Sequence, residues 1–198
     1  MLFRSDHLVD LLLDVAQSGE NVVEREGLSI RHASRFILIG SGNPEEGELR
    51  PQLLDRFGLS VEVLTPDTVN ERIEVIKRRD DYDNHPEEYA ATWDKENRKL
   101  RNKIQKARKS LGSITVDSKI LEHCAQICID LGSDGLRGEL TLVRTARALA
   151  AFNGKERVDV GHIKTIAPMA LSHRLRRDPL DDAGSGTRVE RSVQKIIG

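Results

Sequence analysis

The pattern of apolar and polar positions changes near the middle of the chain. Over residues 1–82, short apolar runs alternate with turn signals, whereas from residue 86 onward apolar residues recur every three or four positions. Alternating or continuous apolar runs indicate strands, and the longer spacing indicates amphipathic helices. The sequence therefore predicts an α/β part over residues 1–82 and an all-α part over residues 86–198.

The α/β part has a few-stranded sheet in this prediction. A helix covers residues 6–18, and a β-hairpin covers residues 22–31 around a Glu-Gly turn. Residues 36–39 are apolar at every position, which predicts a strand buried on both faces. Residues 59–63 predict a second short strand.

Helices are predicted for most of the remaining chain. Thr65 is the expected N-cap of a helix that buries Val69, Ile73 and Ile76, and a long polar helix is expected over residues 86–110. Further helices are expected after Asp117, after Gly135, after Asp159 and around Val189.

Composition and charge narrow the class of protein. Lys and Arg number 31 against 32 Asp and Glu, so the net charge gives no support to binding of nucleic acid or a membrane surface. No apolar run is long enough for a membrane-spanning helix or a signal peptide. Cys124 and Cys128 lie on a predicted buried face without histidine partners, so we expect buried thiols in a reducing compartment and no metal site.

Asn43 is the first candidate site residue. It ends the run Gly40-Ser41-Gly42-Asn43, directly after the predicted buried strand. Ligands of open α/β sheets bind beyond the carboxyl ends of the strands, where the Asn43 amide would contact a ligand or a water molecule. The alternative is a turn in which Asn and Gly only supply unusual dihedral angles.

Arg56 is the second candidate. It stands in Leu54-Asp55-Arg56-Phe57, where the apolar residues are expected to anchor the segment and direct the guanidinium outward. A planar, permanently charged guanidinium suits phosphate oxygens. The alternative is an exposed ion pair between Asp55 and Arg56.

Arg137 is the third candidate. It follows a glycine break at the predicted start of a helix, where backbone amides favour anions. The alternative for Arg137 is an ion pair with Glu139 or Asp134.

A basic run over residues 98–109 contains seven Lys or Arg residues and no acidic residue. It could bind nucleic acid or an acidic partner. No aromatic residue is interleaved with it, and many acidic residues precede it. A solvated helix face is the preferred interpretation, so no nucleic acid is expected as a partner.

Three stretches together resemble one known family. They read GSGNPEEGELRPQLLDRFGLSVEV, DGLRGELTLVRTARALAAF and ALSHRLRRDPLDD. They are similar to the AAA+ ATPase (I) subunit of magnesium chelatase, from about Asp6 to the end of the chain. The resemblance implies a partial AAA+ core with a hairpin followed by a helical lid. It also implies that Asn43 is sensor 1, Arg56 the arginine finger and Arg137 sensor 2.

The resemblance implies a function for the complete subunit. The subunit would form a homo-oligomeric ring that uses ATP and Mg²⁺ and powers insertion of Mg²⁺ into protoporphyrin IX. Its partners would be a second AAA+-like subunit and a large porphyrin-binding subunit, in bacterial cytoplasm or plastid stroma.

The sequence departs from the family pattern in one respect. It contains no Gly-x-x-x-x-Gly-Lys-Ser/Thr phosphate loop. We therefore expect a C-terminal part of the subunit, without tightly bound cofactor and inactive by itself. Two alternatives are a non-hydrolysing AAA+-like adaptor and a MoxR-type remodelling chaperone.

Overall fold

The computed structural model describes residues 6–25, 27–43, 50–133, 135–175 and 184–198. It divides into two compact units, Met1–Gly58 and Leu59–Gly198. The sequence predicts the boundary at residues 82–86 instead. The structure thus groups the helix before that position with the helical unit.

The first unit contains a helix, a hairpin and a short helical turn. Its elements are α1 (Asp6–Ser18), β1 (Glu20–Arg25), β2 (Leu28–Ala33) and α2 (Pro51–Leu54). The strands are antiparallel, with Val22 opposite Arg31. These elements confirm the predicted first helix and hairpin.

The apolar run at residues 36–39 is not a strand in this structure. Residues 34–43 have no regular secondary structure, and Ile37 and Ile39 are 79% and 88% exposed. A strand requires a hydrogen-bonding neighbour, and the strands described in this unit, β1 and β2, pair with each other. The predicted buried strand is therefore wrong for this structure.

The second unit consists of helices. They are α3 (Val69–Asn84), α4 (Pro86–Thr92), α5 (Asp94–Ser110), α6 (Ser118–Asp130), α7 (Arg137–Phe152), α8 (Val160–Leu171) and α9 (Ser185–Ile197), with 3₁₀ turns at Leu111–Ser113 and Ser172–Arg174. The strand predicted at residues 59–63 is also wrong. That segment is irregular, although its Ser60 N–H donates to the Met169 carbonyl at 2.9 Å.

The helices α6 to α9 enclose the core of the second unit. Its largest fully buried side chains are Cys124, Ile127, Cys128, Leu142, Ile163, Ile166, Leu171 and Val189. All four helices were predicted from spacing, and their existence is confirmed. Leu121 was expected in this core but is 46% exposed, because the buried face of α6 follows Ile120, Cys124 and Ile127 instead.

The helices α3, α4 and α5 contain no buried residue. Thr68, not Thr65, is the N-cap of α3 and accepts a hydrogen bond from the Glu71 N–H at 3.3 Å. The predicted long helix is divided at Trp93 into α4 and α5. The expected buried face of α3 is wrong, because α3 packs on α4, which itself lies outside the core.

No helix within the described ranges combines the length and the apolar character that crossing a membrane requires.

Candidate functional site

Arg56 lies directly after α2 on a segment that is fixed at Leu53. The Arg56 N–H donates to the Leu53 carbonyl at 3.1 Å, and Leu53 is 5% exposed. The Arg56 guanidinium forms ion pairs with two carboxylates one turn apart on α1. Its Nη1 lies 3.6 Å from Asp10 Oδ1 and also contacts Asp14.

These contacts revise the predicted setting of Arg56. The buried anchor is Leu53, whereas Leu54 and Phe57 are only half-buried. The guanidinium is directed towards α1 and not freely outward, although the side chain stays 33% exposed. Because the pair faces solvent, it contributes only about 0–1 kcal/mol and can be exchanged for another anion at little cost.

Asn43 is exposed at the end of the irregular segment 34–43. This segment approaches the one that carries Arg56, since a Cβ on Gly40 would lie 3.8 Å from the Phe57 ring. The structure therefore brings the two candidate segments of the first unit next to each other. The Asn43 amide follows irregular chain here and not the end of a strand.

Arg137 is the first residue of α7 and is exposed. The preceding turn includes Gly135, whose φ of 71° lies in the left-handed region that favours glycine. A helix of 16 residues presents its first-turn amides and positive dipole end beside this guanidinium. The alternative pairing with Asp134 involves a residue outside the described part of the chain.

Gly138 fixes the position of this helix start. A Cβ on Gly138 would lie 2.9 Å from Ser133 Oγ and 3.4 Å from both Cys128 Sγ and Leu171 Cδ2. The α7 backbone is therefore packed directly against α6 and α8. The sequence analysis did not single out Gly138. A glycine inside the first turn of a predicted helix, directly after Arg137, is the pattern that could have indicated it.

The two cysteines of α6 are buried thiols. Burial, with a smaller effect of the Glu139 carboxylate, raises the pKa of Cys124 from its usual 9.0 to about 11. The same two causes, in the same order, raise the pKa of Cys128 to about 12. Both thiols stay protonated at neutral pH, so neither is an activated nucleophile there.

The described residues fit an anion better than a metal ion. Among them, no group of three or more His, Cys, Asp or Glu side chains could hold a metal ion. Arg137 and the first-turn amides of α7 offer the positive charge and hydrogen-bond donors that phosphate oxygens require. Arg56 offers a second guanidinium, in the other unit.

Comparison with known proteins gives relatives over nearly the whole chain. The magnesium-chelatase 38 kDa subunit of Cereibacter sphaeroides is 64% identical over 192 residues, which is 97% of this chain and 58% of that protein. The Rhodobacter capsulatus subunit of the same name is 62% identical over 97% of this chain and 55% of that protein. The chloroplastic magnesium-chelatase subunit ChlI of Nicotiana tabacum is 50% identical over 97% of this chain and 45% of that protein. The chain thus spans about half the length of these curated relatives.

Two further comparisons concern the fold. The AAA lid domain family matches residues 121–196, which hold most of α6 through α9. A crystal structure from Cytophaga hutchinsonii, described provisionally as an ATPase, matches with a TM-score of 0.66 and 18% sequence identity. The match covers 98% of this chain and 62% of the Cytophaga chain. At that identity the likeness concerns the fold alone. The prediction of a partial AAA+ core with a hairpin, followed by a helical lid, is confirmed.

The roles of Asn43, Arg56 and Arg137 stay predictions at this point. Over 97% of its length the chain is 50–64% identical to about half of the magnesium-chelatase 38 kDa and ChlI subunits, and residues 121–196 match the AAA lid domain family.

Proposed function

We propose that this chain is part of the ATPase subunit of magnesium chelatase. The complete subunit would use ATP hydrolysis to drive insertion of Mg²⁺ into protoporphyrin IX, in chlorophyll or bacteriochlorophyll biosynthesis. The observation that carries the proposal is the 64% identity to a magnesium-chelatase subunit over 192 residues. The corresponding compartment is the cytoplasm of a phototrophic bacterium or the plastid stroma.

The proposed site uses one residue for each task. Asn43 helps to orient the attacking water near the γ-phosphate, and Arg137 contacts the nucleotide from the lid. Arg56 reaches the nucleotide of a neighbouring subunit and stabilises the charge that develops during phosphoryl transfer. When bound, ATP with its Mg²⁺ supplies the phosphoryl group that is transferred to water.

The structure supports the proposed use of Arg56 through the exposed pair with Asp10 and Asp14. These carboxylates hold the guanidinium in a defined place while no phosphate is near. Since an exposed ion pair contributes only about 0–1 kcal/mol, a phosphate group carrying several negative charges competes with it easily. The anchored Leu53 keeps the backbone of the segment in place during this exchange.

The proposed partners are further copies of the subunit in a ring, a second AAA+-like chelatase subunit and a large porphyrin-binding subunit. The ATPase would pass conformational work to these partners and would not itself hold the porphyrin. Movement of the lid relative to the core is the kind of change that a bound nucleotide biases.

The chain alone is proposed to hydrolyse no ATP and to bind nucleotide weakly, because its sequence contains no phosphate loop. Steady-state turnover of ATP by the purified chain is the direct measurement. Turnover above a no-protein control that is abolished by Arg137→Ala would show that the chain holds a phosphate cradle of another kind.

The decisive experiment changes Arg56 in the complete subunit. Arg56→Ala should leave nucleotide binding largely in place and lower hydrolysis by about 10³-fold or more, as expected for an arginine that acts in the transition state. Because the residue acts in trans, mixing variant and wild-type subunits should lower activity below the sum of the two separate populations. Arg144→Ala is the matched control, since Arg144 is an exposed arginine further along α7.

A different outcome would reject the assignment. If mixed rings form and their activity equals the sum of two independent populations, Arg56 is not a trans-acting residue. If the complete subunit also hydrolyses no ATP, the adaptor becomes the better explanation. None of the present observations favours the adaptor or the remodelling chaperone.

A further inference from the structure

A small cleft lies between the end of α6 and one face of α9. Its volume is about 230 Å³, and both helices belong to the second unit. The cleft is lined by Asp130 and Leu131 at the end of α6 and by Arg188, Arg191, Ser192 and Lys195 of α9. Arg137 is not among these residues, so the cleft is a different place from the nucleotide site proposed above.

The lining of the cleft is rich in positive charge. Arg188, Arg191 and Lys195 follow one another at intervals of three and four positions, which places them on one face of α9. Like charges at this spacing repel each other, so an anion bound between them would remove an unfavourable interaction. The lining holds three cationic side chains and one carboxylate, that of Asp130, which leaves an excess of two positive charges.

The Asp130 carboxylate is engaged by one of these cations. Lys195 Nζ donates to Asp130 Oδ1. This hydrogen bond, with a smaller effect of the nearby Ser192 hydroxyl, holds the pKa of Asp130 below its usual value, so the carboxylate is ionised at neutral pH. Arg191 is exposed and has no ion-pair partner in the described part of the chain. Positive charge therefore stays available at Arg191 while Lys195 neutralises Asp130.

Ser192 contributes a hydroxyl group that the fold does not use. The residue is only 4% exposed, and its Oγ atom is buried without a hydrogen bond of normal geometry within the described ranges. Leaving a buried hydroxyl unsatisfied costs about 1–3 kcal/mol, and buried polar groups in native proteins almost always have a partner. The Ser192 hydroxyl is therefore a donor available to a ligand in the cleft.

We propose that this cleft binds the phosphate group of a small molecule. Arg191 and Lys195 supply the positive charge, and the Ser192 hydroxyl donates to a phosphate oxygen. On binding, Lys195 turns from Asp130 to the phosphate and uncovers the Ser192 hydroxyl. This exchange costs little, since Lys195 is 70% exposed and an exposed ion pair contributes only about 0–1 kcal/mol.

The size and charge of the cleft select this class of ligand. A volume of about 230 Å³ lies below the roughly 300–1,000 Å³ of pockets for drug-sized molecules, so a small anion fits better than a large one. A metal cation would be repelled by the excess positive charge. Inorganic phosphate and a small phosphate monoester share the required chemistry, and the experiment below distinguishes them.

This proposal goes beyond the function proposed above and does not rest on it. Phosphate held by the first-turn amides of α7 would affect Arg137 and its neighbours, whereas phosphate in the cleft affects Leu131 and residues 188–195. A measurement that reports on single residues therefore separates the two sites, and failure at one leaves the proposal for the other intact.

Nuclear magnetic resonance of the isotope-labelled purified chain tests the proposal. Inorganic phosphate and glycerol 3-phosphate are titrated separately at neutral pH, with NaCl adjusted to keep the ionic strength constant. Saturable shifts of the amide signals of Leu131 and residues 188–195 are expected with both. Tighter binding of glycerol 3-phosphate identifies a monoester as the preferred ligand, and equal or weaker binding identifies the phosphate ion.

Three variants separate binding from a structural role. Ser192→Ala should weaken phosphate binding about tenfold, because a hydrogen bond to a charged group is lost, yet leave the urea midpoint unchanged or higher. Arg191→Ala should weaken it about threefold or more. Asp130→Asn should tighten it about threefold, because the change releases Lys195 and removes a repelling charge. A merely structural ion pair would give no such gain. Arg144→Ala, an exposed arginine outside the cleft, is the control and should bind like the wild type.

Two outcomes would overturn the proposal. One is the absence of saturable shifts at Leu131 and residues 188–195, including the case in which phosphate shifts only the start of α7. The other is unchanged affinity in both Ser192→Ala and Arg191→Ala. Because Arg191 is exposed, its variant keeps the fold even if the buried change at Ser192 does not.

Discussion

Gly138 and Ser133 approach each other so closely that a Cβ on Gly138 would lie 2.9 Å from the Ser133 hydroxyl oxygen. Two further atoms, Cys128 Sγ and Leu171 Cδ2, would lie at 3.4 Å. The start of α7 is therefore held by contact of backbone with the neighbouring helices, and this contact fixes where Arg137 stands.

Gly138→Ala is expected to destabilise the helical unit by about 1–3 kcal/mol, because the added methyl group overpacks a site that is already filled. Urea unfolding followed by circular dichroism measures the loss. Gly112→Ala is the control, since a Cβ there would meet no atom within 4 Å. Ser133→Ala combined with Gly138→Ala should regain part of the loss; no recovery would show that Ser133 is not the limiting contact.

Asp159 caps α8 in a reciprocal arrangement with the buried His162. The Asp159 carboxylate accepts from the His162 N–H at 3.0 Å, and His162 Nδ1 accepts from the Asp159 N–H at 3.0 Å. Asp159→Ala should cost about 1 kcal/mol in urea unfolding, whereas Asp159→Asn, which keeps an acceptor, should cost only a few tenths. Equal losses in both variants would show that the carboxylate charge is what matters.

Thr68→Ala removes the equivalent cap from α3. Because α3 buries no residue, its local loss should reduce the urea midpoint of the whole unit much less than Asp159→Ala does. Far-ultraviolet circular dichroism should still show a small loss of helix. A drop in the midpoint as large as that of Asp159→Ala would mean that α3 unfolds together with the core.

The buried thiols predict a dependence of stability on alkaline pH. Folding raises the pKa of Cys124 from 9.0 to about 11 and that of Cys128 to about 12, so the unfolded chain loses these protons first. Their contribution to the free energy of unfolding is complete below pH 9 and falls as the pH rises from 9 towards 12. In the Cys124→Ala/Cys128→Ala variant, this alkaline decline in the urea midpoint should be smaller.

The same thiols should react slowly with a disulfide reagent. At pH 8 the native chain should react about 100-fold more slowly than the urea-unfolded chain, because burial lowers both thiolate content and access. Rapid labelling of the native protein would contradict the buried placement of both cysteines.

Hydrogen exchange should distinguish the two units. The buried apolar side chains described in the first unit are Leu13, Val15 and Leu53, whereas the second unit has a continuous core. Amides of residues 1–64 should therefore exchange faster than those of residues 115–172, which open only with the core. Equal or greater protection over residues 1–64 would contradict this order.

The helices of the core could be predicted from the sequence because each of them buries a face of its own. In α6, the spacing of Ile120, Cys124 and Ile127 determines both the helix and the side that is covered. The exposed helix α3 shows the limit of this reasoning. Its apolar residues have the same spacing, but periodicity carries no information about whether a neighbour is present to cover them.

Only part of the candidate site could be predicted from the sequence, for a similar reason. A glycine break beside a helix start is a local pattern, so the position of Arg137 could be found. The partners of Arg56 are distant in sequence, since Asp14 lies 42 residues away, and exposed ion pairs leave no periodic signal. The close approach at Gly138 depends on how three helices pack, which no local pattern contains.

The irregular segment around residues 36–39 has a consequence for handling the protein. Phe36, Ile37 and Ile39 are 39%, 79% and 88% exposed, and four apolar residues with high strand propensity follow one another there. We expect this exposed run to pair with its equivalent in another chain and so to promote aggregation during expression and concentration. Arg35 is the charged residue that borders the run. Replacing one apolar residue within the run by a charged residue should reduce aggregation of concentrated samples.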